Sequence, residues 1–155
     1  MKHYIYLSLA ILMTLFLCQC KSNCQELKKM PDSPISHLEY IKRGMRANPE
    51  LEYIFDRLDD GRYLAKCTIY ESSKSAYCDK EVADEIYKIL KEGKIVKYKT
   101  YYRPRLNIKD GYTWSFKVKF MNGESINTEG HQSKPHDFSA VSNTLEKLKE
   151  VTGME

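Results

Sequence analysis

The stretch Tyr112–Met121 (YTWSFKVKFM) constrains the fold most tightly. Trp114, Phe116, Val118 and Phe120 alternate with Ser115, Lys117 and Lys119. Side chains on a strand point to opposite faces in turn, so this period of two places four large apolar groups on one face and polar groups on the other. Asn122-Gly123 follows and then Glu124–Glu129 (ESINTE). Glycine supplies the positive φ of a tight hairpin turn, so the two runs read as neighbouring antiparallel strands. A second copy of this arrangement lies upstream. Leu51–Leu58 and Arg62–Tyr70 flank Asp59-Asp60-Gly61. The adjacent carboxylates Asp59 and Asp60 therefore read as turn residues rather than a catalytic pair.

Each hairpin is followed by a polar stretch and a helical pattern. Asp79 is placed to cap a helix running to about Glu92, with Val82, Ile86, Ile89 and Leu90 as its apolar stripe and Gly93 as its stop. A second helix is expected from about His136 to Val151, with Phe138, Val141, Leu145, Leu148 and Val151 facing inward. Ile35–Lys42 reads as a strand or a helical turn, with the strand preferred because Gly44 and Pro49 cut a helix short. Ile95–Tyr102 (IVKYKTYY) alternates and reads as a strand ended by Pro104. The expectation is an α+β two-layer sandwich: a mainly antiparallel sheet of five or six strands, with two helices on one face. The hairpin–helix order repeats without meaningful identity between the halves.

The amino terminus follows a different logic. Lys2 precedes an apolar run from Tyr4 to Leu17, shorter than the roughly 20 residues of a spanning helix. The run ends in Leu17-Cys18-Gln19-Cys20, which resembles the lipobox of bacterial lipoproteins, the looser form in Bacteroidetes envelope proteins included. The resemblance implies a signal peptide over residues 1–19 and a lipid on Cys20. Gln19 departs from the small residue usual before the lipidated cysteine, and Cys18 is the alternative, with bulky Leu17 before it. A secretory signal cleaved without lipidation is the plainer reading of the same residues. Residues 20–33 are polar, contain Pro31, and read as a flexible tether. Residues 34–155 then form one domain.

Of the five cysteines, Cys67 and Cys78 are the candidate disulfide pair in an oxidising compartment, with two buried free thiols as the alternative. The segment between them, rich in Ser and Lys, reads as a loop. The formal charge of +4 is too mild to argue for nucleic acid. With Ile95–Tyr102 as a strand beside Tyr112–Met121, Lys97, Lys99, Tyr101, Arg103, Lys117 and Lys119 would share an outward basic face. Such a face attracts an anionic glycan, a phosphate or an acidic protein, although a solvated sheet face has the same composition.

His131 and His136 bracket the loop HQSKPH with Asp137 adjacent, and two histidines and a carboxylate can bind zinc; His37 is isolated in sequence and could join them only through folding. Their spacing fixes no geometry, and capping of the last helix by Asp137 or Ser139 competes with that role. No serine-nucleophile elbow, phosphate-binding glycine loop or zinc-protease motif occurs, and no cofactor is implied. The segment WSFKVKF–NG–TEG–PHDF also resembles a module recurring in bacterial proteins, which brings no site residues with it. The expected function is a non-enzymatic, membrane-anchored binding or inhibitory domain for an envelope protein or anionic polymer. The alternatives are a small metal-dependent hydrolase on the His131/His136 loop and a structural envelope subunit.

Overall fold

The computed structural model describes residues 27–44, 49–104 and 111–154. The export segment, Cys20 and the first part of the tether lie outside the described residues. Strands β1 (Ile35–Arg43), β2 (Leu51–Arg57), β3 (Tyr63–Ile69) and β4 (Ser72–Cys78) lead into helix α1 (Lys80–Glu92). A 3₁₀ turn (Ile95–Lys97) and the two-residue strand β5 (Tyr101–Tyr102) follow. Then come β6 (Thr113–Phe120), β7 (Ser125–His131) and helix α2 (Ser139–Thr152). The strands make one seven-stranded sheet in the order β4-β3-β2-β1-β6-β7-β5, antiparallel except where β5 meets β7. The fold is α+β, with both helices on one face of the sheet.

Both glycine hairpins form where the dipeptides place them. Gly61 and Gly123 sit at φ 87° and 86°, a conformation other residues adopt only with strain. The period of two in β6 is realised: Trp114, Phe116, Val118 and Phe120 are all buried. The pairing register carries that face across the sheet. Phe55, Leu38 and Val118 follow one another through β2, β1 and β6, as do Tyr53, Tyr40 and Phe116. The buried side of α1 (Ala83, Ile86, Leu90) and of α2 (Ala140, Val141, Leu148) closes over these rows. Burying a side chain of this kind contributes roughly 1.5–3 kcal/mol, so the layer between sheet and helices is what holds the fold together. Thr144 and Thr152 also lie in that layer. Each donates its hydroxyl to the carbonyl four residues back, at 2.8 Å, so neither brings an unsatisfied polar group into the core.

Four expectations are corrected. First, Ser72–Cys78 is a strand, not a loop. Its serines carry no apolar alternation because β4 is a sheet edge with both faces largely exposed, so only pairing with β3 identifies it.

Second, Ile95–Tyr102 is not a continuous strand. Lys94 adopts φ 52°, Ile95 is buried at the start of a 3₁₀ turn, and only Tyr101 and Tyr102 join the sheet.

Third, Cys67 and Cys78 are free and buried. Cys67 pairs with Lys74, and Cys78 with Tyr63. The two thiols are therefore four residues apart along the ladder, about 13 Å at strand spacing, well beyond the reach of a disulfide. Burial pushes both thiols above their ordinary pKa, which makes them poor nucleophiles.

Fourth, the ordered body begins before residue 34. Met30 and Pro31 are buried, and the Tyr87 hydroxyl donates to the Pro31 carbonyl at 2.8 Å. Met121 N–H donates to the Pro34 carbonyl at 2.9 Å. Leu27, Met30 and Pro31, spaced through a mainly polar stretch, pack it against the body.

Candidate functional site: the open face of the sheet

With both helices on one side, the alternate residues of each strand form a face that no helix or strand among the described residues covers. The register orders it into rows. One row reads Tyr77, Leu64, Asp56, His37, Lys119, Ser125 from β4 to β7. The next reads Ser75, Lys66, Ile54, Glu39, Lys117, Asn127, and the third Ser73, Thr68, Glu52, Ile41, Ser115, Glu129.

Charges on this face are matched across strands. His37 Nδ1 lies 2.6 Å from Asp56 Oδ1. Lys66 Nζ lies 3.7 Å from Glu52 Oε2. Lys117 stands directly opposite Glu39, an arrangement in which opposite charges are favourable. Arg43, Lys66, Lys117 and Lys119 are balanced by Glu39, Glu52, Asp56 and Glu129. The pairing of β1 with β6 shifts register between Ile35 and His37, beside the His37–Asp56 pair.

Set into these polar rows is an apolar diagonal. Ile41, Ile54 and Leu64 are half-buried, and Tyr77, directly opposite Leu64, is 66% exposed. The Arg62 guanidinium lies 4.9 Å from the centre of the Tyr77 ring and is held there by Asp60 at 2.7 Å. Asp60 is in turn kept below the usual carboxylate range by hydrogen bonds from Arg62. The diagonal crosses the four strands from β4 to β1, at the middle and one end of the sheet.

The basic face expected from sequence is not assembled. Lys117 and Lys119 do point outward on β6. However, β7 separates β6 from β5, and Lys97 and Lys99 belong to the 3₁₀ turn and its exit. Thr128 Oγ1 donates to the Lys99 carbonyl at 2.8 Å, and Lys99 N–H donates to the Tyr102 hydroxyl at 2.9 Å, so this segment is tied to the β7 edge. Tyr101 is paired with Glu129, and the Arg103 guanidinium stacks on its ring at 4.8 Å.

The His131–His136 loop is likewise not assembled into a cluster. Among the described residues, no three histidine, cysteine, aspartate or glutamate side chains converge as a metal site would require. Asp137 is engaged locally: its carboxylate accepts the Ser139 N–H at 3.0 Å, and the hydrogen bonds from Ser139 hold its pKa below the ordinary value. That contact opens α2 at Ser139, three residues later than the apolar pattern suggests.

A cleft of about 210 Å³ lies between α1 and the segment before β1, walled by Tyr63, Tyr87, Asp32 and the Lys80–Asp84 pair. Ligand pockets generally measure about 300–1,000 Å³. Its one cation is already engaged, since Lys80 Nζ lies 2.5 Å from Asp84.

Sequence reasoning missed the His37–Asp56 pair and the apolar diagonal. Period two in LEYIFDR would have put Ile54 opposite to Tyr53 and Phe55. The meeting of His37 with Asp56 required the register itself. A scan against protein-family models finds none that matches this chain, and a search of the curated proteins finds no match.

Proposed function

We propose that this chain is a lipid-anchored cell-envelope protein that acts by binding, docking another protein on the open face of its sheet. The apolar diagonal Ile41–Ile54–Leu64–Tyr77 carries the reading. A sheet face turned to solvent needs only polar groups, whereas recognition surfaces set aromatic and aliphatic groups inside a polar rim. The matched charges around the diagonal favour a protein over an anionic polymer. A polyanion needs an excess of positive charge, and on this face acids and bases balance. An inhibitory role would use the same surface.

Catalysis is the weaker reading. His37 and Asp56 are oriented like a base and its partner, but the row flanks them with Leu64 and Lys119, neither of which offers a hydroxyl or thiol nucleophile. The anchor itself rests on the Leu17–Cys20 resemblance, and several acyl chains would make it stable.

The binding reading is tested in intact cells with a photoreactive side chain at Ile54. A discrete adduct of one mass is expected, lost when Leu64→Asp is added and not produced by the same probe at Lys88, a 72%-exposed position on α1. No adduct at Ile54, or the same adduct at Lys88, would reject the face. In the same cells Cys20→Ala should move the protein out of the membrane fraction; an unchanged distribution would reject the anchor.

A further inference from the structure

The two sheet edges are treated differently by the fold. On one side β7 is covered in part by β5 and by the segment carrying Lys99. On the other, no strand among the described residues pairs with the outer side of β4. Proteins blunt such edges with bulges, prolines, short strands or outward charges. Strand β4 has none of these. It pairs with β3 residue by residue from Ser72 to Cys78 with no irregularity, and SSKSAYC contains no proline. Its single charge is turned away, since Lys74 Nζ donates to the Gly153 carbonyl at the end of α2, at 2.5 Å. The two most exposed large apolar side chains in the described chain also sit at the two ends of this edge: Tyr70 at 68% and Tyr77 at 66%.

The backbone groups available on the edge follow from the hairpin. Tyr70 N–H donates to the Glu50 carbonyl at 2.8 Å, so Tyr70, Thr68, Lys66 and Leu64 direct their peptide groups to β2. The intervening residues of β3 direct theirs to β4. Since Ile69 pairs with Ser72 and Cys67 with Lys74, residues 72, 74, 76 and 78 use their peptide groups on β3. Ser73, Ser75 and Tyr77 therefore point N–H and C=O outward.

We propose that β4 is a homodimer edge, at which a second copy of this chain pairs antiparallel about a two-fold axis at Ser75. In that register Ser75 meets its own counterpart and Ser73 meets Tyr77 of the other copy, so every outward N–H and C=O finds a partner. The side-chain fit is self-complementary. The small Ser73 lies under the large Tyr77, Lys74 lies opposite Ala76, and no two like charges face each other between Ser72 and Cys78. Beyond the strand, Tyr70 of one copy arrives opposite Lys80 of the other, whose ammonium is already paired with its own Asp84, and Glu71 arrives opposite Asp79, so the complementarity of the contact is confined to Ser72–Cys78. Such an isologous contact closes on itself and leaves no free edge.

The test is sedimentation of the whole mature chain in neutral detergent. The parent should sediment with twice the protein mass of one chain. Ser75→Lys sets two ammonium groups face to face on the axis and Ser75→Glu sets two carboxylates. Each alone should sediment at half the parent's protein mass, and their equimolar mixture should recover the parent's. Position 75 is exposed, so neither variant strains the fold, and an unchanged circular dichroism spectrum checks this. A parent that sediments as a single chain overturns the proposal. So do charge variants that stay dimeric, or a mixture that fails to reassociate.

Discussion

Phe116→Ala should destabilise the protein by about 3–5 kcal/mol, while Lys117→Ala beside it should change stability by no more than about 0.5 kcal/mol. Phe116 is 1% exposed, in the row with Tyr40 and Tyr53 that runs beneath the helices. Its removal loses the transfer free energy of a ring and leaves a cavity, because a sheet pinned by strands on both sides of β6 cannot collapse to fill it. The neighbouring side chain points to the open face, where its loss removes one partly solvated charge opposite Glu39. Urea unfolding of the two variants measures the difference. Similar losses for both would mean that the strand does not separate a buried face from a solvated one.

The second large effect is expected at Gly130. A methyl group there would lie 2.2 Å from the Ser133 carbonyl oxygen and 2.5 Å from Trp114 Nε1. Those two atoms are themselves hydrogen-bonded, the indole N–H donating to the carbonyl at 2.7 Å. Gly130→Ala must therefore push apart the link between β6 and the loop before α2. Overpacking costs roughly 1–3 kcal/mol, and the broken bond adds about 0.5–1.5 kcal/mol. Trp114 also packs edge-on against Phe138 at 5.1 Å, so the displacement reaches the start of α2. Tryptophan fluorescence, from the single Trp of the chain, should report it as a shift of the emission maximum in the folded state. Thermal unfolding gives the loss in stability. A variant with the parent's spectrum and midpoint would contradict the close approach.

Elements whose residues carry their own instructions were legible in the sequence. The alternation in β6, the two glycine turns and the apolar stripes of both helices needed no distant contact to be recognised. Strand β4 was not legible, because a polar edge strand exists only through hydrogen bonds to its neighbour. Residues 95–102 misled for the opposite reason: their alternation is strand-like, but the left-handed Lys94 after α1 starts a 3₁₀ turn that buries Ile95. The candidate site lay further out of view. A run of lysines says nothing of the strands opposite it, and only the register supplies Glu39 to Lys117 and Asp56 to His37. The half-buried Ile41 and Ile54 are told from core by parity along the strand, since hydrophobicity alone does not say which face a residue takes.

Pulsed thiol labelling of purified single-cysteine variants probes that division directly. Prompt labelling is expected of Ile54→Cys, Ser115→Cys and Lys117→Cys in the folded protein, and labelling of Val118→Cys only at the rate of unfolding. An Ile54→Cys thiol as protected as that at position 118 would contradict it, because the isoleucine would then belong to a second buried layer and the sheet would have no open face to offer.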